Sequence, residues 1–208
     1  MVPIDIVSRA VRYSGSLGVE AQTLTVWKQA DRYGIPRLGY LNKMDKRGAD
    51  IRMCLESMAK KLHCLPLLTQ VPIGAEKSFS GLVDVVDLQV HSWQSPQGWT
   101  RTPLDSDESI ADSADIWDAR EKLVESLTDV DDVLAERLIE LENSRALSNE
   151  EIKAALRRAT ISMVSGPAHS YHCFTASAKR TNLFFTLRIP FIVRLSVRYW
   201  RLSYELLF

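Results

Sequence analysis

"RLGYLNKMDKRGADIRMCLESMAKKLHCLPLLTQVPIG", Arg37 to Gly74, carries the decision about the fold. "RLGYLN" reads as a short buried strand ending at Asn42. "ADIRMCLESMAKKLH" reads as an amphipathic helix with Ile51, Leu55, Met58 and Leu62 on one face. "PLLTQVPIG", Pro66 to Gly74, reads as another strand. Upstream, "EAQTLTVWKQADRYG" repeats Leu24, Trp27, Ala30 and Tyr33 at helical spacing, with Gly34 as a C-terminal cap and Pro36 as a stop. Helix, strand, loop, helix, strand is the rhythm of an open parallel α/β sheet. Ligands of such sheets sit beyond the carboxyl ends of the strands, and Asn42 to Asp45 falls at one of those ends.

The residues at that end have a specific chemistry. A guanine ring presents a ring N–H, an exocyclic amine and a carbonyl oxygen. One carboxylate accepts from both donors at once, whereas adenine offers the wrong pattern, and Asp45 suits this role. Asn42 can donate to the other edge and tie neighbouring loops together. The aliphatic stem of Lys43 can cover the base face. N-K-x-D is therefore a readable guanine-binding motif. A second loop is expected, and "TASAKRTN" offers Ser177, Ala178 and Lys179, with the Ala178 N–H available to the guanine carbonyl and Lys179 to the opposite face.

Between these loops, "SFSGLVDVVDLQVHSW" is β-branched and punctuated by turns, which predicts a small β-rich insert from Phe79 to about Trp99. "SPQGW" marks a hairpin turn that Trp93 and Trp99 can cover. "PLDSDESIADSAD" is acidic and loop-like. "IWDAREKLVESLTDVDDVLAERLIELEN" predicts two helices, and "LSNEEIKAALRRATIS" a third, opened by a capping box of Ser148 and Glu151. The acid run Asp129, Asp131, Asp132 reads as a solvated helix start, because it lacks the Gly and closing Glu of a calcium loop.

The chain has 208 residues, 46% of them hydrophobic, and a formal net charge of zero, so bulk charge points to neither nucleic acid nor membrane. Six basic residues and one Glu lie from Phe174 onward, leaving 20 basic and 25 acidic residues in the body. Cys54, Cys64 and Cys173 show no C-x-x-C spacing, which favours free thiols in a reducing compartment. His169 and His172 beside Cys173 lack a fourth ligand, and no metal site is assigned. The first residues, "MVPIDIVSRAVRYSG", make neither a secretory signal nor a convincing mitochondrial presequence. "LFFTLRIPFIVRLSVRYW" is apolar but broken by Arg and by Pro190, short of a spanning helix.

Phosphate handling calls for G-x-x-x-x-G-K-[ST], whose amides and Lys hold the phosphates while its hydroxyl binds Mg²⁺. The sequence contains no such stretch. "DRYG" at Asp31 and "DKRG" at Asp45 match the letters of a D-x-x-G element, but the first lies at a helix end and the second overlaps the N-K-x-D loop.

"GVEAQTLTVWKQADRYGIPRLGYLNKMDKRGAD" resembles the G domain of translational GTPases of the elongation factor G class. "GVEAQTLTVW" and "LLTQVPIGAEKSFSGLVDVV" look nearest to the mitochondrial ribosome-releasing factor 2 branch. The resemblance runs from about Gly18 to Ser162. It implies an α/β fold, namely part of a P-loop GTPase parallel sheet (residues 18–69 and 164–182) with an inserted α+β G′ subdomain (residues 70–163). Residues 1–17 and 183–208 are divergent from the family pattern. It also implies GTP or GDP as ligand, Mg²⁺ in the family at large though its ligands are absent here, and guanine contacts from Asn42, Lys43, Asp45, Ser177, Ala178 and Lys179. No residue of the chain is assigned a catalytic role, since "MVPIDIVSRAVRYSGSL" stands where the family has its phosphate loop, switches and D-x-P-G-H element.

The resemblance further implies the mitochondrial ribosome with its stalk and ribosome recycling factor as partners, a mitochondrial location, and no membrane or direct DNA binding. The expectation is a fragment of a GTPase for disassembly of mitochondrial ribosomes, inactive alone. The alternatives are a fragment of an elongation factor G translocase, a stalk-binding module that works without nucleotide, or a truncated product with no function.

Overall fold

A computed structural model describes residues 10–32, 38–95, 98–106, 113–162 and 170–176. In chain order the elements are β1 (Ala10–Ser14), α1 (Ala21–Arg32), β2 (Leu38–Asn42), α2 (Ile51–Leu62), β3 (Cys64–Leu68), β4 (Gln70–Ile73), β5 (Gly81–Asp84), β6 (Gln89–Ser95), β7 (Gly98–Pro103), α3 (Ala114–Thr128), α4 (Asp132–Leu141), α5 (Asn149–Ser162) and β8 (Ser170–Ala176). They build two sheets. The first is parallel, in the order β1-β2-β8-β3, and the second is an antiparallel meander, β4-β5-β6-β7. The parallel α/β expectation is met. β1 lies inside the N-terminal segment that sequence pattern sets apart as divergent. Five residues of "AVRYS" are too few to announce a strand without their partner, and the register with β2, Tyr13 opposite Leu41, supplies it.

The side-chain period of two decides what covers the parallel sheet. On one face Val11, Tyr13, Leu41 and Cys64 pack under Trp27 of α1 and Cys54, Met58 and Leu62 of α2. On the other, Tyr40 and Leu67 join the core built from Val83 and Val85, from Leu123, Val124 and Leu127 of α3, and from Ile152, Ala155 and Leu156 of α5. The strands are therefore sandwiched, as the near-continuous apolar character of "GYL" requires. Along α2 the buried stripe centres on Cys54, Met58 and Leu62, with Ile51 and Leu55 at its edge.

One expected strand divides. The run Pro66–Gly74 is not continuous: β3 ends at Leu68 and pairs with β8, whereas β4 starts at Gln70 and pairs with β5. The break is at Thr69, which is 2% exposed and whose carbonyl accepts the Val85 N–H at 3.0 Å. No Gly, Pro or Asn marks the change of sheet, because the chain crosses between two buried surfaces without making a turn.

The second sheet and its helices hold two buried charges. Arg120 of α3 is 4% exposed. It donates to the carbonyls of Val85 (2.5 Å), Val86 (2.9 Å) and Leu147 (3.4 Å) and to Asn149 Oδ1 (3.0 Å). Burial pulls its pKa down, and Asp84 and Asp87 oppose that shift. Asp131 corrects the reading of the acid run as solvated. It does start α4, accepting the Leu134 N–H at 3.0 Å, but it is 4% exposed and carries a two-point pair with Arg158 at 2.7 and 3.0 Å. Asp129 and Asp132 are exposed. The capping box stands as expected: the Ser148 N–H donates to Glu151 Oε2 at 2.8 Å and the Glu151 N–H to Ser148 Oγ at 3.3 Å. The side chains of Trp93 and Trp99, the helix-end residues Tyr33 and Gly34, and His169 lie outside the described residues. So do the side chains of His172 and Cys173. Among the described residues no helix is long and apolar enough to cross a membrane.

Two stability measurements follow from these contacts. Arg120→Ala strands three carbonyls and is expected to cost about 3 kcal/mol in urea denaturation. Lys60→Ala, which removes a pair whose side chains are 75% and 67% exposed, should cost less than about 0.5 kcal/mol; equal costs would refute the bracing role of Arg120. Glu151 is held near a pKa of about 2, against an ordinary 4.5, by the Ser148 hydroxyl and N–H and then by Arg137. A depressed carboxylate pKa contributes stability above the ordinary value and loses it as pH falls from there through the folded value. Glu151→Gln should thus flatten the fall of thermal stability between about pH 5 and 2, and an unchanged profile would show that other carboxylates set it.

Candidate functional site: the loop after β2

The loop from Asn42 to Asp50 leaves the carboxyl end of β2 and closes at the N-cap of α2. Lys43 has φ of 63°, which turns the chain sharply out of the strand. Its N–H donates to Asn42 Oδ1 at 2.9 Å, so Asn42 shapes the turn with its oxygen and keeps its amide donor for another partner. Met44 points down and is 4% exposed. Asp45 is half-buried, and Lys43 and Lys46 on either side of this pair are exposed. Two short turns follow, with the Lys46 N–H donating to Lys43 O at 3.2 Å and the Ala49 N–H to Lys46 O at 3.1 Å. Asp50 then caps α2 by accepting from Arg52 N at 2.7 Å and Met53 N at 3.4 Å.

Both ends of this loop are tied to one residue, Gly15. The Gly15 N–H donates to Asn42 O at 2.8 Å, and Gly15 O accepts the Asp50 N–H at 3.0 Å. The Cys54 thiol donates to the same oxygen at 3.2 Å. Burial, and then the charge of Asp50, pushes the Cys54 pKa up to about 11, which keeps the thiol protonated for that bond. A Cβ on Gly15 would sit 2.7 Å from Met44 Sδ and 3.2 Å from Asn42 O. On the far side of the loop, the Gly48 N–H donates to Glu76 Oε1 at 2.7 Å.

Asn42, Lys43 and Asp45 are thus brought together on one short, tethered loop. Ser177, Ala178 and Lys179 lie outside the described residues, but β8 ends at Ala176, opposite Leu41 in parallel register. The two expected motifs therefore follow the carboxyl ends of paired neighbouring strands. Gly15, Cys54 and Glu76 were missed by the sequence reading. Gly15 had a signal, since "SGSLG" after an apolar run marks a turn; Cys54 and Glu76 had none.

A profile of the family described as "Elongation factor Tu GTP binding domain" matches residues 10–191. The chain belongs to this family. Elongation factor G of Fervidobacterium nodosum is 38% identical over 167 residues, covering 80% of this chain and 23% of that protein. The mitochondrial ribosome-releasing factor 2 of Pongo abelii is 40% identical over 161 residues, covering 74% of this chain and 21% of that protein. A crystal structure of a protein from Thermus thermophilus superposes with a TM-score of 0.65 at 20% identity, over 83% of this chain and 24% of that one, a likeness of fold. The chain thus spans about a fifth to a quarter of the length of the relatives it matches. The family match begins at Ala10, the first residue of β1, upstream of Gly18, where the sequence resemblance starts.

Guanine nucleotide is the ligand of this family's domain, and the loop's carboxylate, amide and lysine stem suit the base. Among the described residues no group of three or more His, Cys, Asp or Glu is placed to hold a metal ion by protein side chains alone. Gly15→Ala is expected to cost about 1–3 kcal/mol in denaturant unfolding, because the buried Met44 must move to admit the methyl group. A variant as stable as the parent would show that Met44 yields freely.

Proposed function

We propose that this chain is the base-reading part of the guanine-nucleotide domain of a translational GTPase, one that works with ribosome recycling factor in GTP-dependent disassembly of mitochondrial ribosomes. The observation that carries the guanine reading is the tethered loop of Asn42, Lys43 and Asp45 at the carboxyl end of a parallel strand. Ser177, Ala178 and Lys179 supply the opposite side of the base. Residues 70–163 are the G′ insert, and its acidic helices α3 and α4 are the surface offered to the ribosomal stalk. The sequence contains no phosphate loop, so the base edge is the part of the nucleotide that these residues address. The 40% identity to a mitochondrial ribosome-releasing factor 2 supports the recycling role and the mitochondrial location.

A second reading, translocation, is favoured by the 38% identity to an elongation factor G. The two separate in one assay of the longest natural polypeptide carrying this sequence. Splitting of post-termination mitochondrial ribosomes with recycling factor and GTP is expected; movement of transfer RNA without splitting would overturn the recycling role.

The guanine reading is tested on the chain itself by nucleotide titration. GDP should bind more weakly than micromolar, because the base edge alone is recognised, and should still outcompete ADP. Asp45→Asn should reverse the preference towards XDP, whose 2-oxo group needs a donor where guanine has an amine. Sub-micromolar GDP binding would refute the weak-binding expectation, and no shift towards XDP would refute the role of Asp45.

A further inference from the structure

Glu76 belongs to the turn between β4 and β5, in the second sheet, yet its carboxylate is bonded to the loop of the first. The bond from the Gly48 N–H to Glu76 Oε1, at 2.7 Å, crosses 28 residues of sequence. Gly48 has φ of 78° and nothing within 4 Å of where a Cβ would stand, so glycine is required there for conformation and not for space.

The acceptor is held in place with comparable care. Glu76 itself has φ of 51°, an uncommon value for a residue with a side chain. Its turn is closed from both sides. Ala75 N–H donates to Ser78 Oγ at 3.0 Å, Ser78 N–H to Ala75 O at 2.9 Å, Phe79 N–H to Glu76 O at 3.2 Å, and Ser80 N–H to Ile73 O at 3.0 Å. Phe79 packs against the cluster that contains Met44, the residue between Lys43 and Asp45. Gly74, at φ of 77°, would drive a Cβ to 2.2 Å from Ser78 O, so the turn admits little variation.

We infer that Glu76 is a positioning residue for base recognition, clamping the loop that carries Lys43 and Asp45 from the neighbouring sheet. The inference rests on the guanine reading above and deepens it. Without the clamp, the segment from Lys46 to Ala49 keeps only two intraloop turns, and Asp45 loses the fixed direction that two parallel hydrogen bonds to a base edge demand. A charge-assisted bond of this length is among the stronger single contacts available to a surface loop.

The test uses the 208-residue chain with Glu76→Ala and Glu76→Gln. Amide exchange by NMR is expected to speed up at Gly48 by at least about tenfold in Glu76→Ala, while the amides of α2 and β5 keep their protection. Titration with GDP and ADP should show the guanine preference narrowing in Glu76→Ala. Glu76→Gln, whose amide oxygen can accept the same bond, should recover part of both effects. Unchanged exchange at Gly48 would overturn the clamp. Equal binding of GDP and ADP by the wild-type chain would sink the guanine reading itself. A wild-type preference that survives Glu76→Ala intact would sink only the role of Glu76.

Discussion

Gly15 is the point on which the rest of the site depends. Through one residue without a side chain, the end of β1 is bonded to the end of β2 and to the N-cap of α2. The chain from Asn42 to Asp50 therefore begins and ends at the same anchor. Much of its backbone conformational entropy is already lost to the fold; on the proposed guanine reading, that part need not be lost again on binding. The Met44 side chain fills the space that a Cβ at Gly15 would take, so the close approach and the buried packing under the loop are one constraint. Cys54 adds a weak donor to the same carbonyl, and its burial keeps it a donor.

The anchor works only because β2 is fixed on both faces. Leu41 is buried with α1 and α2, and Tyr40, one residue back, is buried with the core of the second sheet. A slip of one residue would exchange these partners and carry Asn42 out of place. The two buried charges limit the geometry further. Arg120 gathers carbonyls from the β5–β6 turn and from the segment before α5, and Asp131 gathers the start of α4 and Arg158 of α5. Such groups are costly to desolvate, and each tolerates only the arrangement in which its partners meet.

The legible parts of the sequence were those governed by local chemistry. The period of α1 and α2, the capping box at Ser148, and the N-K-M-D loop are all written within a few residues. What failed depended on distant partners. β1 is five residues that become a strand only beside β2. The division of Pro66–Gly74 is invisible because both halves are apolar and the break carries no turn residue. Asp131 looks solvated in sequence because Arg158, which makes its burial tolerable, is 27 residues away. Glu76 could not be picked out from "GAEKS", since its partner is a backbone amide and leaves no mark in composition.

Base recognition and nucleotide affinity are physically separable in this architecture. A carboxylate that accepts two bonds from guanine gains about 1.5–3 kcal/mol for each bond to a charged group, while association costs at least about 4 kcal/mol in lost freedom. On the proposed reading, the loop supplies discrimination but only a small surplus of binding. The larger electrostatic gain in nucleotides lies at the phosphates, where amides and cations meet several negative charges. A domain of this family can thus hold its selectivity in a rigid loop braced by a neighbouring sheet and leave affinity to elements elsewhere in the polypeptide. On that division, and on the reading proposed for Asp45 and Glu76, the tether at Gly15 and the bond from Gly48 to Glu76 serve the direction of Asp45 more than the strength of its bonds.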